Sequence, residues 1–169
     1  MKRQLLAIGI LIAACLALSA LPAHAAHAPK PPSPKKFDQL ANAAFAAMQK
    51  RAAELNVTGV AVVSYAQGDT IHGWTSRMLV VGRIKDDPSA TSKGNNLLAI
   101  AYAKASEMAL TLQDSGTVKR PPMTGEFGWQ GGAIAHGKTG YIIVAFSGGK
   151  SEDDVQVSRA GLAILQPAL

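Results

Sequence analysis

The chain has 169 residues, of which 48% are hydrophobic and 17% charged, with a formal net charge of +6 and one cysteine. This length can bury one adequate core, and no repeat or second domain is visible along it. Its cations are scattered, with no basic stripe interleaved with aromatics, so a nucleic-acid partner is not expected.

At the amino terminus Lys2 and Arg3 precede an almost wholly apolar run over residues 5–20, and Ala23-His24-Ala25 supplies a small-residue cleavage site before Ala26. That is the layout of a Sec-type signal peptide over residues 1–25, and it predicts a periplasmic or secreted protein. The run falls short of the roughly 20 residues a helix needs to cross a bilayer, so no membrane span is expected after cleavage. Ile12-Ala13-Ala14-Cys15 offers a competing lipoprotein box, but Leu16 to Leu21 stay apolar where a lipidated terminus should turn polar. Cleavage after Ala25 discards Cys15 and leaves no disulfide, thiolate metal site or thioether attachment. Loss of Lys2 and Arg3 lowers the charge from +6 to +4. Lys30, Lys35 and Lys36 lie in a Pro/Lys-rich tail over residues 26–36, which reads as a solvated, extended spacer.

Residues 37–169 read as one near-neutral domain. Phe37, Leu40, Ala44, Met48, Ala52 and Leu55 recur at helical spacing and predict a helix with one buried face. Three strands are then expected as a meander, at Val57–Tyr65, Thr70–Thr75 and Met78–Ile84. A second helix follows over about residues 95–112, with Leu98, Ala101, Ala105, Met108 and Leu112 as its stripe. Asp114-Ser115-Gly116 ends it. Residues 116–128, with Pro121-Pro122 and three glycines, make a long loop, functional or disordered. Two more strands are predicted, about 129–135 and 140–147. Ser151-Glu152-Asp153-Asp154 then reads as a capping box opening a last helix to about Leu165. The order α-β-β-β-α-β-β-α with short turns predicts an α+β fold with one mainly antiparallel five-stranded sheet and helices packed against it.

Gly132-Ala-Ile-Ala-His-Gly137-Lys138-Thr139 satisfies the phosphate-loop string G-x-x-x-x-G-K-[ST]. A working phosphate loop opens a helix, whereas Thr139 is followed by Gly140 and the strand-like run Tyr-Ile-Ile-Val-Ala-Phe. The segment is therefore expected to be a β-hairpin turn, and no ATP partner is expected.

Ala103-Lys104-Ala105, Gly131-Gly132, Ser147-Gly148-Gly149, Glu152-Asp153-Asp154 and Arg159-Ala160-Gly161-Leu162-Ala163, in this element order, resemble the GlcG/HbpS-like heme-binding family, also called PduO C-terminal-like. The resemblance runs loosely from Phe37 to Leu165 and is specific over residues 131–165. It implies a profilin-like sandwich, a homo-oligomer, and binding of heme or a related tetrapyrrole outside the cytoplasm. The chain departs from the family at Ile134, where a proline is usual, and at Ile142–Phe146, where a small-residue segment is usual.

A heme site needs an axial ligand, apolar walls and donors for the propionates. His72 and His136 are the candidate iron ligands, with Tyr65, Tyr102, Tyr141 and Met123 weaker ones. His72 is expected on a strand beside Gly73 and Trp74, where a flat ring could approach and stack; a histidine hydrogen-bonded to a neighbour is the alternative. His136 is expected at the hairpin turn, as a ligand or an exposed turn residue. Phe127 and Trp129 could wall an apolar pocket or pack over the sheet edge. Ser147, Gly148 and Gly149 could present amides to an anion at the start of the last helix, or form a turn that needs glycine. Arg83, Lys119, Arg120 and Lys138 are possible propionate partners by charge.

Catalysis has less support, since no nucleophile elbow is present and the adjacent acids Asp86-Asp87 and Asp153-Asp154 diverge. The expected function is an exported, non-covalent heme or tetrapyrrole binder, acting as scavenger or sensor input. An interaction module without heme and an uncharacterised small-molecule enzyme are the alternatives.

Overall fold

The computed structural model describes residues 30–169. The expected signal peptide, Cys15 and residues 26–29 lie outside the described residues. Helix α1 spans Pro34–Glu54 and starts before the Phe37 stripe does. Ser33 caps it, accepting a hydrogen bond from the Lys36 amide at 3.3 Å, and Pro34 occupies the first turn, where its missing N–H costs nothing. The proline-rich tail thus ends in a helix start, not in a spacer that reaches Lys36. Phe37, Ala41, Ala44, Phe45, Met48 and Ala52 form its buried face.

The remaining elements are β1 (Gly59–Gln67), β2 (Thr75–Val81), β3 (Lys85–Asp86), β4 (Asn95–Asn96), α2 (Leu97–Thr111), β5 (Gly132–His136), β6 (Gly140–Ser147) and α3 (Ser151–Leu165). The main sheet has the order β2-β1-β6-β5 with every pair antiparallel, and β3-β4 form a separate two-stranded ladder. The fold is α+β as expected, with a four-stranded sheet in place of five.

The difference lies at residues 70–75. Thr70–Trp74 belong to the loop between β1 and β2, so His72 and Trp74 are loop residues and β2 starts at Thr75. Only Ile71 of that stretch packs against a core cluster, and one apolar side chain cannot fix a strand's face.

Strands β1 and β6 occupy the middle of the sheet, and all their residues from Gly59 to Ala66 and from Ile142 to Ser147 are buried. Their near-continuous apolar runs arise because both faces are covered. Ala61, Val63, Tyr65, Ile142, Val144 and Phe146 pack with α1 and α3, while Val60, Val62, Ile143 and Ala145 pack with α2. The result is a sandwich with two helices on one face and one on the other. Truncating a fully enclosed side chain such as Phe146 to alanine costs about 3–5 kcal/mol.

The buried face of α2 is rotated from its predicted stripe. Leu97, Ile100, Ala101, Lys104, Ala105, Glu107 and Met108 are buried, whereas Leu112 is exposed as a left-handed C-cap with φ 54°. The edge strand β5 is closed on its outer side: the Gly132 amide donates to Ser115 Oγ at 2.8 Å and the Ile134 amide to Asp114 Oδ1 at 2.9 Å. Gly137–Thr139 form a hairpin turn, closed by a Gly137 N–H to Gly140 O bond of 2.7 Å, so the phosphate-loop string is followed by a strand. Among the described residues no helix is long and apolar enough to cross a membrane.

Candidate functional site

In the β1–β6 register Val60 lies opposite Ser147 and Gln67 opposite Gly140, which defines two ends of the sheet. Each end carries a concavity.

At the Ser147 end, α2 and α3 meet through two charged side chains. Lys104 and Asp154 are both 3% exposed and pair at 2.8 Å, and Lys104 Nζ also donates to the Phe146 carbonyl at 2.8 Å. The other Asp154 oxygen accepts from the Gly149 amide at 2.8 Å. Burial is the largest influence on both groups: it lowers the Lys104 pKa and raises that of Asp154, against their mutual attraction. The capping box expected at Ser151 is not formed. Lys150 is the N-cap without a side-chain bond, because Asp154 turns inward to Lys104 and Gly149.

Glycines make this approach possible. A Cβ on Gly131, whose φ is +136°, would lie 2.2 Å from Lys104 Nζ, and a Cβ on Gly148 would lie 2.1 Å from the Thr58 carbonyl. Arg83 fixes the same end, donating to Gly148 O at 2.6 Å, Thr58 O at 2.7 Å and Asp86 Oδ1 at 2.8 Å. Hydrogen bonds from Asn95 and then Arg83 hold the Asp86 carboxyl below its ordinary range. The cavity left here measures about 110 Å³, and Trp129, Ser147, Gly148, Gly149 and Lys104 are among its lining. The carboxylate that meets the Gly149 amide is the chain's own Asp154.

Phe127 and Trp129 stack on each other with centroids 4.9 Å apart, and both are exposed, as is Met123. Their loop is held by Arg120 and Glu126, joined by two bonds of 2.7 and 2.8 Å, with the Met123 amide also donating to Glu126. These bonds pull the Glu126 pKa down to about 2.

The opposite end holds a cavity of about 330 Å³, lined by Pro31, Pro32, Phe37, Tyr65, Gly73 and Trp74 among others. The Tyr65 ring tilts against Phe37 at 6.2 Å, and its hydroxyl donates to Thr139. His72 is exposed and immediately precedes the Gly73-Trp74 wall. His136 ends β5, exposed, edge-on to Tyr141 at 4.7 Å with Nε2 3.4 Å from Asp69 Oδ1. Among the described residues no three His, Cys, Asp or Glu side chains gather to hold a metal ion.

The sequence candidates therefore divide. His72, Trp74 and His136 lie at one end of the sheet, and Trp129, Ser147, Gly148 and Gly149 at the other, with Phe127 stacked on Trp129. Of the cations suggested for propionates, Arg83 and Arg120 are engaged by carboxylates, while Lys138 lies exposed in the hairpin turn at the His136 end. Lys104 and Asp154 were not singled out as site residues from sequence.

The chain matches no family model, and no curated protein matches it significantly in sequence. Among solved structures, the PduOC:heme complex superposes with a TM-score of 0.51 and 19% identity, covering 80% of this chain and 95% of that one. The chain has the PduOC fold. The Klebsiella pneumoniae protein ORFY, of the DUF336 family, gives a TM-score of 0.49 and 19% identity over 78% of this chain and 90% of its own. The PduOC fold agrees with the resemblance drawn from residues between Phe37 and Leu165. On it, Lys104, Gly131, Gly148, Gly149 and Asp154, drawn from separate stretches of that resemblance, come together around one buried ion pair.

Proposed function

We propose that the chain is a divergent GlcG/HbpS-like protein, exported and homo-oligomeric, that binds heme or a related tetrapyrrole without a covalent link and serves as scavenger or sensor input. The observation that carries this reading is the fold shared with PduOC, whose structure is a heme complex.

Cavity size favours one end of the sheet. Ligand pockets run to roughly 300–1,000 Å³, so the cavity of about 110 Å³ beside Ser147 is too small for a macrocycle, while the one of about 330 Å³ beside Trp74 reaches that range. Phe37, Tyr65 and Trp74 supply apolar walls, His72 is the adjacent imidazole, and Lys138 is an exposed cation at the same end. Heme, when bound, would supply a redox-active iron; His72 would offer it a nitrogen donor, and Phe37, Tyr65 and Trp74 would stack on the ring and exclude water.

Titration of apoprotein with hemin tests the reading. The expected result is a saturable Soret shift that weakens in His72→Ala. A flat titration would sink the heme reading and favour an interaction module, for which the exposed Phe127–Trp129 stack and Met123 supply an apolar surface.

A further inference from the structure

Among the described residues seven polar or charged ones are buried: Ser64, Lys104, Glu107, Ser115, Ser147, Asp154 and Ser158. Six have hydrogen-bonded side chains. Ser64 pairs with Ser76, Glu107 accepts from Gly116, Ser115 accepts from Gly132, Ser158 donates to Gly131, and Lys104 bonds Asp154. Ser147 is the exception, 3% exposed and with no side-chain partner among the described residues. Every fully enclosed side-chain N or O atom in the described structure is partnered, so Ser147 Oγ must border open space, and that space is the cavity it lines with Lys104 and Trp129. Its hydroxyl faces that space with no protein partner, so its donor and acceptor capacity is left for a bound molecule to engage in place of water.

The charges around this cavity cancel in pairs. Lys104 is matched by Asp154 at 2.8 Å and Asp86 by Arg83 at 2.8 Å. The charged side chains of the lining, Asp86, Lys104 and Asp154, each face an opposite charge, which favours an uncharged occupant. The volume of about 110 Å³ matches three to four water molecules at roughly 30 Å³ each. That space suits a molecule of about two to four carbons.

Polar groups set its chemistry. Lys104 uses two of its three N–H donors, on Phe146 O and Asp154, which leaves one. Ser147 offers a hydroxyl, and the Trp129 indole stands in the lining. Asn95, Gln130 and Ser151 also line the space, so it offers both donors and acceptors, which the hydroxyl and carbonyl groups of a small oxygen-bearing molecule match.

We infer that the cavity between α2, the end of β6 and the start of α3 is a binding site for a short, uncharged, oxygen-bearing molecule of the hydroxy-ketone or polyol class, anchored on Ser147 Oγ. The Lys104–Asp154 pair forms its polar wall, and Trp129 stands among its lining residues. This site lies at the other end of the sheet from the proposed tetrapyrrole cavity, and each can fail without the other.

The test is a titration of the ¹⁵N-labelled chain with hydroxyacetone, glycerol and acetate, followed by amide and indole resonances. Saturable shifts confined to residues 147–151 and the Trp129 indole are expected with hydroxyacetone or glycerol, and weaker ones with acetate. Ser147→Ala is expected to weaken the neutral probe about five- to tenfold, the loss of one hydrogen bond, with the unfolding midpoint and the hemin titration unchanged. Non-saturable shifts with both neutral probes overturn the inference, as does tighter binding of acetate or an affinity unaltered in Ser147→Ala. Should Ser147→Ala fold poorly, Trp129→Phe provides the second variant: weakened probe binding supports the site and unchanged binding overturns it.

Discussion

Lys104 Nζ and Asp154 Oδ2, fifty positions apart in sequence, meet at 2.8 Å beside the end of β6 and tie α2 on one face of the sheet to α3 on the other. A buried ion pair contributes little net stability, since desolvation offsets attraction, but removing one member strands the other. Lys104→Met is therefore expected to cost about 3–5 kcal/mol at neutral pH, and Lys104→Met/Asp154→Leu to restore most of it, read from urea unfolding. The single variant also acquires a pH dependence. Burial already raises the Asp154 pKa, and without its cation it rises further. A carboxyl whose folded pKa lies above its unfolded one favours folding at low pH, so the deficit should shrink on acidification and grow as pH rises through the folded value.

Gly131→Ala should disturb the same pair from the backbone side. Its Cβ would lie 2.2 Å from Lys104 Nζ and 2.8 Å from the Asp154 Cβ, at a φ of +136°. Overpacking of this kind costs about 1–3 kcal/mol, and the left-handed backbone adds to it. Thermal unfolding should show a clear fall in midpoint; an unchanged midpoint would mean that the glycine is not needed for close approach.

The loop carrying Phe127 and Trp129 should respond to acid. Arg120 and the Met123 amide lower the Glu126 pKa from 4.5 to about 2. A depressed carboxyl stabilises the folded loop above its unfolded pKa, and that contribution is lost as pH falls from about 4.5 through about 2. Trp129 fluorescence, reporting on the stack, should stay level from pH 7 to about 4.5 and change below it, with the transition moved upward in Arg120→Ala.

Tyr65→Phe removes the hydroxyl that donates to Thr139 and leaves the ring on Phe37 in place. The expected cost is about 1 kcal/mol in urea unfolding. Hemin affinity should change little, because the wall of the 330 Å³ cavity is kept.

Much of the architecture was readable residue by residue. The run Tyr141–Phe146 is β-branched and aromatic, is bounded by Gly140 and Gly148, and forms β6 as read; α3 likewise ends at Leu165. Thr70–Thr75 misled because its composition is strand-like, while its backbone has to turn the chain from β1 into β2. The two-residue strands β3 and β4 are too short for any periodicity to register. Lys104 and Asp154 did leave a signal. Lys104 is four residues from both Ile100 and Met108 on the buried face of α2, and Asp154 is three and four residues before Val157 and Ser158 on that of α3. A cation and an anion, each on an apolar stripe, ask for one another; sequence alone does not show that the two stripes converge.

Closure of β5 by Asp114 and Ser115 has a consequence for self-association. A strand arriving from another copy finds the Gly132 and Ile134 donors already engaged, so edge-on extension is left to β2. Two copies joined through β2 would present β5 at both outer margins, and recruitment along the sheet would halt at the pair without propagating into a fibre.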